Sequence, residues 1–173
     1  MKTTLATLTA VFAGLAMLVS SMQAADPKSV LDSADEKFVK AASQHGMGEV
    51  QIAALGVKKA ARADVKELAE KMVTAHTAMN AELTALAGTK SVAISTVTDP
   101  DDTKTMKALE NTNTGEAFDK DFLNQLESGH KEAISLFENA AEDSKDAEVK
   151  AWAAKSLPEL RAHLEAIQTA LKK

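Results

Sequence analysis

The chain has 173 residues, no cysteine and a formal net charge of −5, with 20 Lys and Arg against 25 Asp and Glu. The lack of cysteine excludes disulfides, thiolate metal sites, cysteine nucleophiles and a lipid-modified N-terminal cysteine. Mild acidity, no basic stripe and an aromatic content of 3% argue against nucleic acid as a partner.

The N-terminus reads as an export signal. Lys2 supplies the positive start, and Leu5 to Val19 carries no charge. Such a run is short for a membrane span, which needs roughly 20 residues. Small residues follow, ending at Gln23-Ala24-Ala25-Asp26, so a signal peptide over 1–24 with cutting after Ala24 or Ala25 is expected. The alternative is an uncleaved N-terminal anchor. Loss of Lys2 takes the net charge from −5 to −6. Residues 25–173 then form one exported domain, periplasmic or extracellular, without a membrane span. That length can bury a real core.

Ala, Leu, Lys and Glu dominate this domain, and no strand pattern stands out, so helices are expected throughout. The first long helix starts near Ser33, which forms a capping box with Glu36. Phe38, Ala41, Ala42, His45, Glu49, Ile52 and Leu55 then recur at helical spacing. Gly46-Met47-Gly48 weakens it locally, or lets a neighbouring backbone come close. The second helix starts at Asp64, paired with Glu67 in another capping box, and stops near Gly88. Its stripe is Val65, Leu68, Met72, His76, Met79, Leu83 and Leu86.

Residues 89–116 form a long link. Asp99-Pro100-Asp101-Asp102 opens a short helix through Met106 and Leu109. The third long helix spans about Glu116 to Glu142, with Leu123, Leu126, His130, Ile134 and Phe137 on its stripe. The fourth starts near Asp146 and carries Val149, Ala153, Ser156, Leu160, His163 and Ile167. Pro158 lies inside it and should kink it, or break it with Ser156 and Glu159 recapping a second segment. Short links make each helix pair an antiparallel hairpin. The long link can cross a full helix length. The expected fold is all-α, a ferritin-like four-helix bundle with one long crossover between helices two and three and a short extra helix in that crossover.

Each long helix thus carries one of the four histidines on an apolar stripe. A buried polar ring needs a partner. Residues equally far from a hairpin loop lie at equal height. By that rule His45 and His76 fall within about one turn of each other. Glu127 lies level with His163, and His130 with Glu159. Glu49, Glu127 and Glu159 also share helix faces with His45, His130 and His163. Helix two is the exception, with Val73 where a Glu-x-x-His partner for His76 would stand and Asn80 as the nearest polar neighbour. Carboxylate di-iron bundles need two such motifs. Only Glu127-Ser128-Gly129-His130 matches, so that site is not expected. A mononuclear or histidine-rich site for Fe, Cu, Zn or Ni is open. Met47, Met72 and Met79 are near enough in sequence to suit copper, or serve as core filler. No catalytic triad, phosphate loop or zincin motif is present.

Several stretches resemble the DUF4142 family of exported, ferritin-like bacterial proteins without an established activity. They are Phe38-Val39-Lys40-Ala41-Ala42, Gly48-Glu49-Val50, Lys71-Met72-Val73-Thr74-Ala75-His76, Phe118-Asp119-Lys120-Asp121-Phe122, His130-Lys131-Glu132-Ala133 and Leu157-Pro158-Glu159-Leu160-Arg161-Ala162-His163-Leu164. The resemblance implies the fold, and it implies Glu49, His76, His130 and His163 as the recurring polar set. His45 is outside that pattern, and Ala75 replaces a commonly acidic residue. Two functions follow as expectations. One is an exported bundle holding a transition metal through Glu49, His76, His130 and His163, with His45, Glu127 and Glu159 as alternates. The other is a metal-free envelope stress or interaction module with structural histidines. A pH-responsive bundle is a third reading, because buried histidines titrate near neutrality. A binding protein is favoured over an enzyme. Protein partners are not legible, and a homo-oligomer is left open.

Overall fold

A computed structural model describes residues 29–173. The expected signal peptide and its cut fall outside them. Five helices follow in order: α1 (Ser33–Lys59), α2 (Ala63–Thr89), α3 (Pro100–Asn111), α4 (Glu116–Asp143) and α5 (Ala147–Leu171). The four long helices form the bundle. α1 pairs with α2 and α4 with α5, while α1 also meets α4 and α2 meets α5. The crossover joins α2 to α4, and its short helix α3 packs mainly on α1. This is the expected architecture.

Local chemistry sets the helix ends. Asp32, rather than Ser33, caps α1, accepting from the backbone N–H groups of Ala34 and Asp35. An Asp at that position caps as well as a Ser. Asp99 caps α3 with Pro100 at its first position, as expected. The start of α2 differs from its expected capping box. Arg62 occupies the cap position and its side chain makes no capping bond; its guanidinium holds Asp64 instead, at 2.8 Å. α2 also runs past Gly88 to Thr89, and Ser91 takes the left-handed conformation (φ 54°). Val92 N–H then bonds Ala87 C=O at 2.9 Å, which closes the helix end.

Two buried aspartates serve the hairpin loops. Asp119 on α4 accepts from the N–H groups of Ala61 and Arg62 at 2.9 and 2.8 Å. Asp35 on α1 accepts from those of Lys145 and Asp146 at 3.0 and 2.7 Å. Each hairpin thus satisfies the loop of the other, where backbone donors would otherwise be orphaned. Helix α5 continues through Pro158. The expected recapping does not occur, because the Ser156 hydroxyl donates to the Trp152 carbonyl at 2.9 Å, one turn back.

The core divides in two. One apolar cluster holds Phe38, Val39, Leu83, Phe137, Trp152 and Leu160. The other holds Ile52, Met72, Phe118, Phe122, Leu126 and Ile167. Each long helix passes from one cluster to the other. The buried histidines His76, His130 and His163 lie in sequence between the two sets on α2, α4 and α5.

Candidate metal centre

His76, His130 and His163 are buried, so their rings must be satisfied inside. They do this by converging. Their ring centroids form a near-equilateral triangle with sides of 5.4, 5.2 and 5.4 Å. His130 Nε2 lies 3.4 Å from His76 Nε2 and 3.4 Å from His163 Nδ1. One ligand nitrogen from each ring falls within 4.8 Å of the others.

Hydrogen bonds on the outer side of the rings decide which nitrogens are bare. His130 Nδ1 sits 2.9 Å from the Leu126 carbonyl, which accepts only, so the proton is assigned to Nδ1. His163 Nε2 lies 3.2 Å from Glu159 Oε1, which assigns its proton to Nε2. His130 Nε2 and His163 Nδ1 therefore present lone pairs to each other. A single proton on His76 Nε2 serves one of them and leaves the other unpaired. A cation between the three rings satisfies all. Imidazole–metal bonds of ~2.0–2.1 Å place nitrogens ~3.3–3.6 Å apart in tetrahedral to trigonal geometry. The two 3.4 Å separations match that spacing, and the donor set fits a transition metal.

Burial also keeps the rings neutral, the form that binds metal. Desolvation, with repulsion from His130 and His163, pushes His76 down to about 3. Desolvation and then His163 push His130 to about 4. Desolvation lowers His163 as well, against the pull of Glu159.

The remaining candidates go elsewhere. Glu49 stands behind His130, its Oε1 3.9 Å from Nδ1, on the side facing away from the triad. Burial and the Asp102 carboxylate push the Glu49 carboxyl up to about 8. His45 is not in the core. Its side chain is 44% exposed, and Nδ1 lies 3.5 Å from Asp102 Oδ2 on α3. Glu127 accepts from Gln168 at 3.1 Å and pairs with Lys131. Glu159 pairs with His163 along its own helix, instead of with His130 across the hairpin. Met72 is core in one apolar cluster, and Met79 packs against the other. Gly46 makes room for the Asn80 side chain, and Gly48 for that of Asp102. Side chains, rather than a neighbouring backbone, use the space.

Access differs between faces. A groove of about 890 Å³ opens between α2 and α5, and His163, Ala75, Met79 and Ala162 line it. On the opposite face α3 packs over α1 and α4, and His130 is separated from the cavity there by Glu49. No helix among the described residues is long and apolar enough to cross a membrane.

Solved structures share this fold at low identity. A DUF305 fragment from Deinococcus radiodurans matches with a TM-score of 0.73 and 16% identity, over 82% of this chain and 97% of that one. CopM in its Cu(II)-bound form matches with a TM-score of 0.66 and 15% identity, over 80% and 95%. CopM in its Ag-bound form matches with a TM-score of 0.63 and 18% identity, over 78% and 93%. No curated protein matches. The sequence model of DUF4142, a domain of unknown function, matches residues 20–170, and the chain belongs to that family.

Proposed function

We propose that this protein binds one transition-metal ion, copper first, through His76 Nε2, His130 Nε2 and His163 Nδ1. The observation that carries the reading is the 3.4 Å approach of His130 Nε2 to His163 Nδ1, while the other nitrogen of each ring faces an acceptor, the Leu126 carbonyl or the Glu159 carboxylate. Three imidazoles suit Cu, Zn, Fe or Ni. Copper is placed first because CopM, of similar fold, is described in Cu(I)-, Cu(II)- and Ag-bound forms.

The chain's own residues supply holding and orientation. The Leu126 carbonyl and Glu159 carboxylate fix two rings and raise their basicity, as partners of metal-bound histidines do. The apolar clusters above and below exclude water. The α2–α5 groove gives entry at His163. Any redox chemistry is the metal's own, and the protein's part is to hold the ion. Glu49 is assigned to the back of His130 rather than to the ion. We place this activity outside the cytoplasm, after cutting at Ala24 or Ala25. N-terminal sequencing of the protein from the cell envelope tests that placement.

The binding test is a Cu(I) titration against a competing chelator, with elemental analysis of the dialysed protein. One copper per chain is expected, weakened about tenfold or more by His76→Ala or His130→Ala. No copper above background, with folded protein, would overturn the reading.

A further inference from the structure

Behind His130 lies a second polar cluster that the imidazole triad does not use. Glu49 comes from α1, Asp102 from the first turn of α3, and His45 from α1 one turn before Glu49. Glu49 Oε2 and Asp102 Oδ2 are both buried, and neither has a hydrogen-bond partner. A buried carboxylate oxygen without a partner is costly unless a proton or a cation reaches it, and the two groups are near enough for Asp102 to raise the Glu49 carboxyl. His45 Nδ1 reaches Asp102 Oδ2 only at 3.5 Å, an ion-pair distance without hydrogen-bond geometry.

The position of the carboxylates is built into the helices. A Cβ at Gly48 would stand 2.3 Å from Asp102 Oδ2, and one at Gly129 on α4 would stand 2.7 Å from Glu49 Oε1. Glycine at both positions therefore opens space that the two carboxylates fill. α3 is also tied down at its far end. Lys59 Nζ donates to the carbonyls of Leu109, Glu110 and Thr112 at 3.0, 2.7 and 2.7 Å. Asp102 is thus carried by an anchored helix, not by a loose loop.

The cluster opens into a cavity of about 530 Å³ between α1, α3 and α4. Asp99, Asp101 and Glu132 also line it, and no Lys or Arg does among the described residues. Such a wall draws cations in.

We propose that His45, Glu49 and Asp102 form a second cation site, for a divalent ion of hard-to-borderline character such as Mn2+. Carboxylates with a single imidazole favour that class, whereas an all-imidazole set does not. Among the described residues, only the triad already has three donor groups within 4.8 Å of one another. Binding at the second site requires His45, Glu49 and Asp102 to draw together on the ion, and of the three the His45 ring is the most exposed. The proposal does not rest on the triad reading.

The test is a titration of the purified protein with Mn2+ alone, followed by the loss of the free-ion electron paramagnetic resonance signal. Wild type is expected to bind one Mn2+. Asp102→Asn and His45→Ala should each weaken binding about tenfold or more, with far-UV circular dichroism confirming folded protein. Glu49→Gln gives the same readout if either variant fails to fold. His76→Ala should leave Mn2+ binding unchanged, which separates this site from the triad. No Mn2+ uptake by wild type would overturn the proposal, with a proton or water then serving the two carboxylates. Uptake indifferent to Asp102→Asn and His45→Ala, or lost only in His76→Ala, would overturn it equally.

Discussion

The two sides of the His130 ring are built from opposite chemistry. On the Nε2 side three neutral imidazoles meet between two apolar clusters, and Leu126 and Glu159 tie down two of their outer nitrogens. On the Nδ1 side carboxylates gather under α3, and two of their oxygens have no partner. The first side is a donor set waiting for one positive charge. The second is a pair of carboxyl groups held in place by helix packing, of which Glu49 keeps its proton to about pH 8. One buried layer can therefore carry two unlike demands, with a single ring as the wall between them.

The two sides respond to pH in opposite directions. His76 and His130 have folded pKa values pushed below the ordinary 6.5, to about 3 and about 4. The unfolded chain then binds more protons below pH 6.5. The stability they contribute is present above that value and is lost as pH falls towards about 4 for His130 and about 3 for His76. Glu49 is raised from 4.5 to about 8, so the folded chain holds the extra proton. Its contribution is present below pH 4.5 and is lost as pH rises towards 8. Each slope is on the order of 1.4 kcal/mol per pH unit per group. The largest expected effect follows from this. Glu49→Gln should make the metal-free protein more stable at pH 8 than wild type by a few kcal/mol. Urea unfolding across pH 5–8 reads it. Parallel curves for the two proteins would erase the distinction between the two sides.

Next in size is stabilisation by the ion. At a free copper concentration of 100 times Kd, wild type should gain about 2.7 kcal/mol, seen as a rise in Tm. His130→Ala, binding tenfold or more weaker, should gain about 1.4 kcal/mol or less, because His130 Nε2 is the nitrogen that both other rings face. A smaller effect is expected at Glu159, whose carboxylate orients His163. Glu159→Ala should weaken copper binding about tenfold, typical for loss of such a partner. The smallest concerns Glu127, which pairs with Lys131 and Gln168 away from the rings. Glu127→Ala should leave copper affinity unchanged and barely move stability, as for other exposed ion pairs. A clear loss of copper there would extend the triad's surroundings to that carboxylate.

Much of the fold was legible because it rests on local rules. The caps at Asp99 and Asp146, the hairpin links and the 28-residue helix α4 all follow from composition and period. Three of the four histidines were legible for the same reason. The fourth was not. Depth along a hairpin places His45 near the height of His76, but depth says nothing about rotation around the helix axis. His45 turns towards α3 instead. Where α3 docks depends on contacts far apart in sequence, such as Lys59 with Thr112. Its spacing therefore could not reveal Asp102 beside Gly48. Asp35 and Asp119 were hidden differently. An aspartate in a first turn already has an ordinary explanation in the helix dipole, and the loops they serve lie across the bundle. The glycines at 48 and 129 carried the one available signal, because helices seldom keep glycine without a packing reason.

The convergence of three imidazoles on one ion is tested most directly by X-ray absorption at the copper edge of the loaded protein. The expected shell contains three imidazole nitrogens at ~2.0 Å, with the outer-ring scattering of histidine. A shell of oxygens with one imidazole or none would contradict the triad.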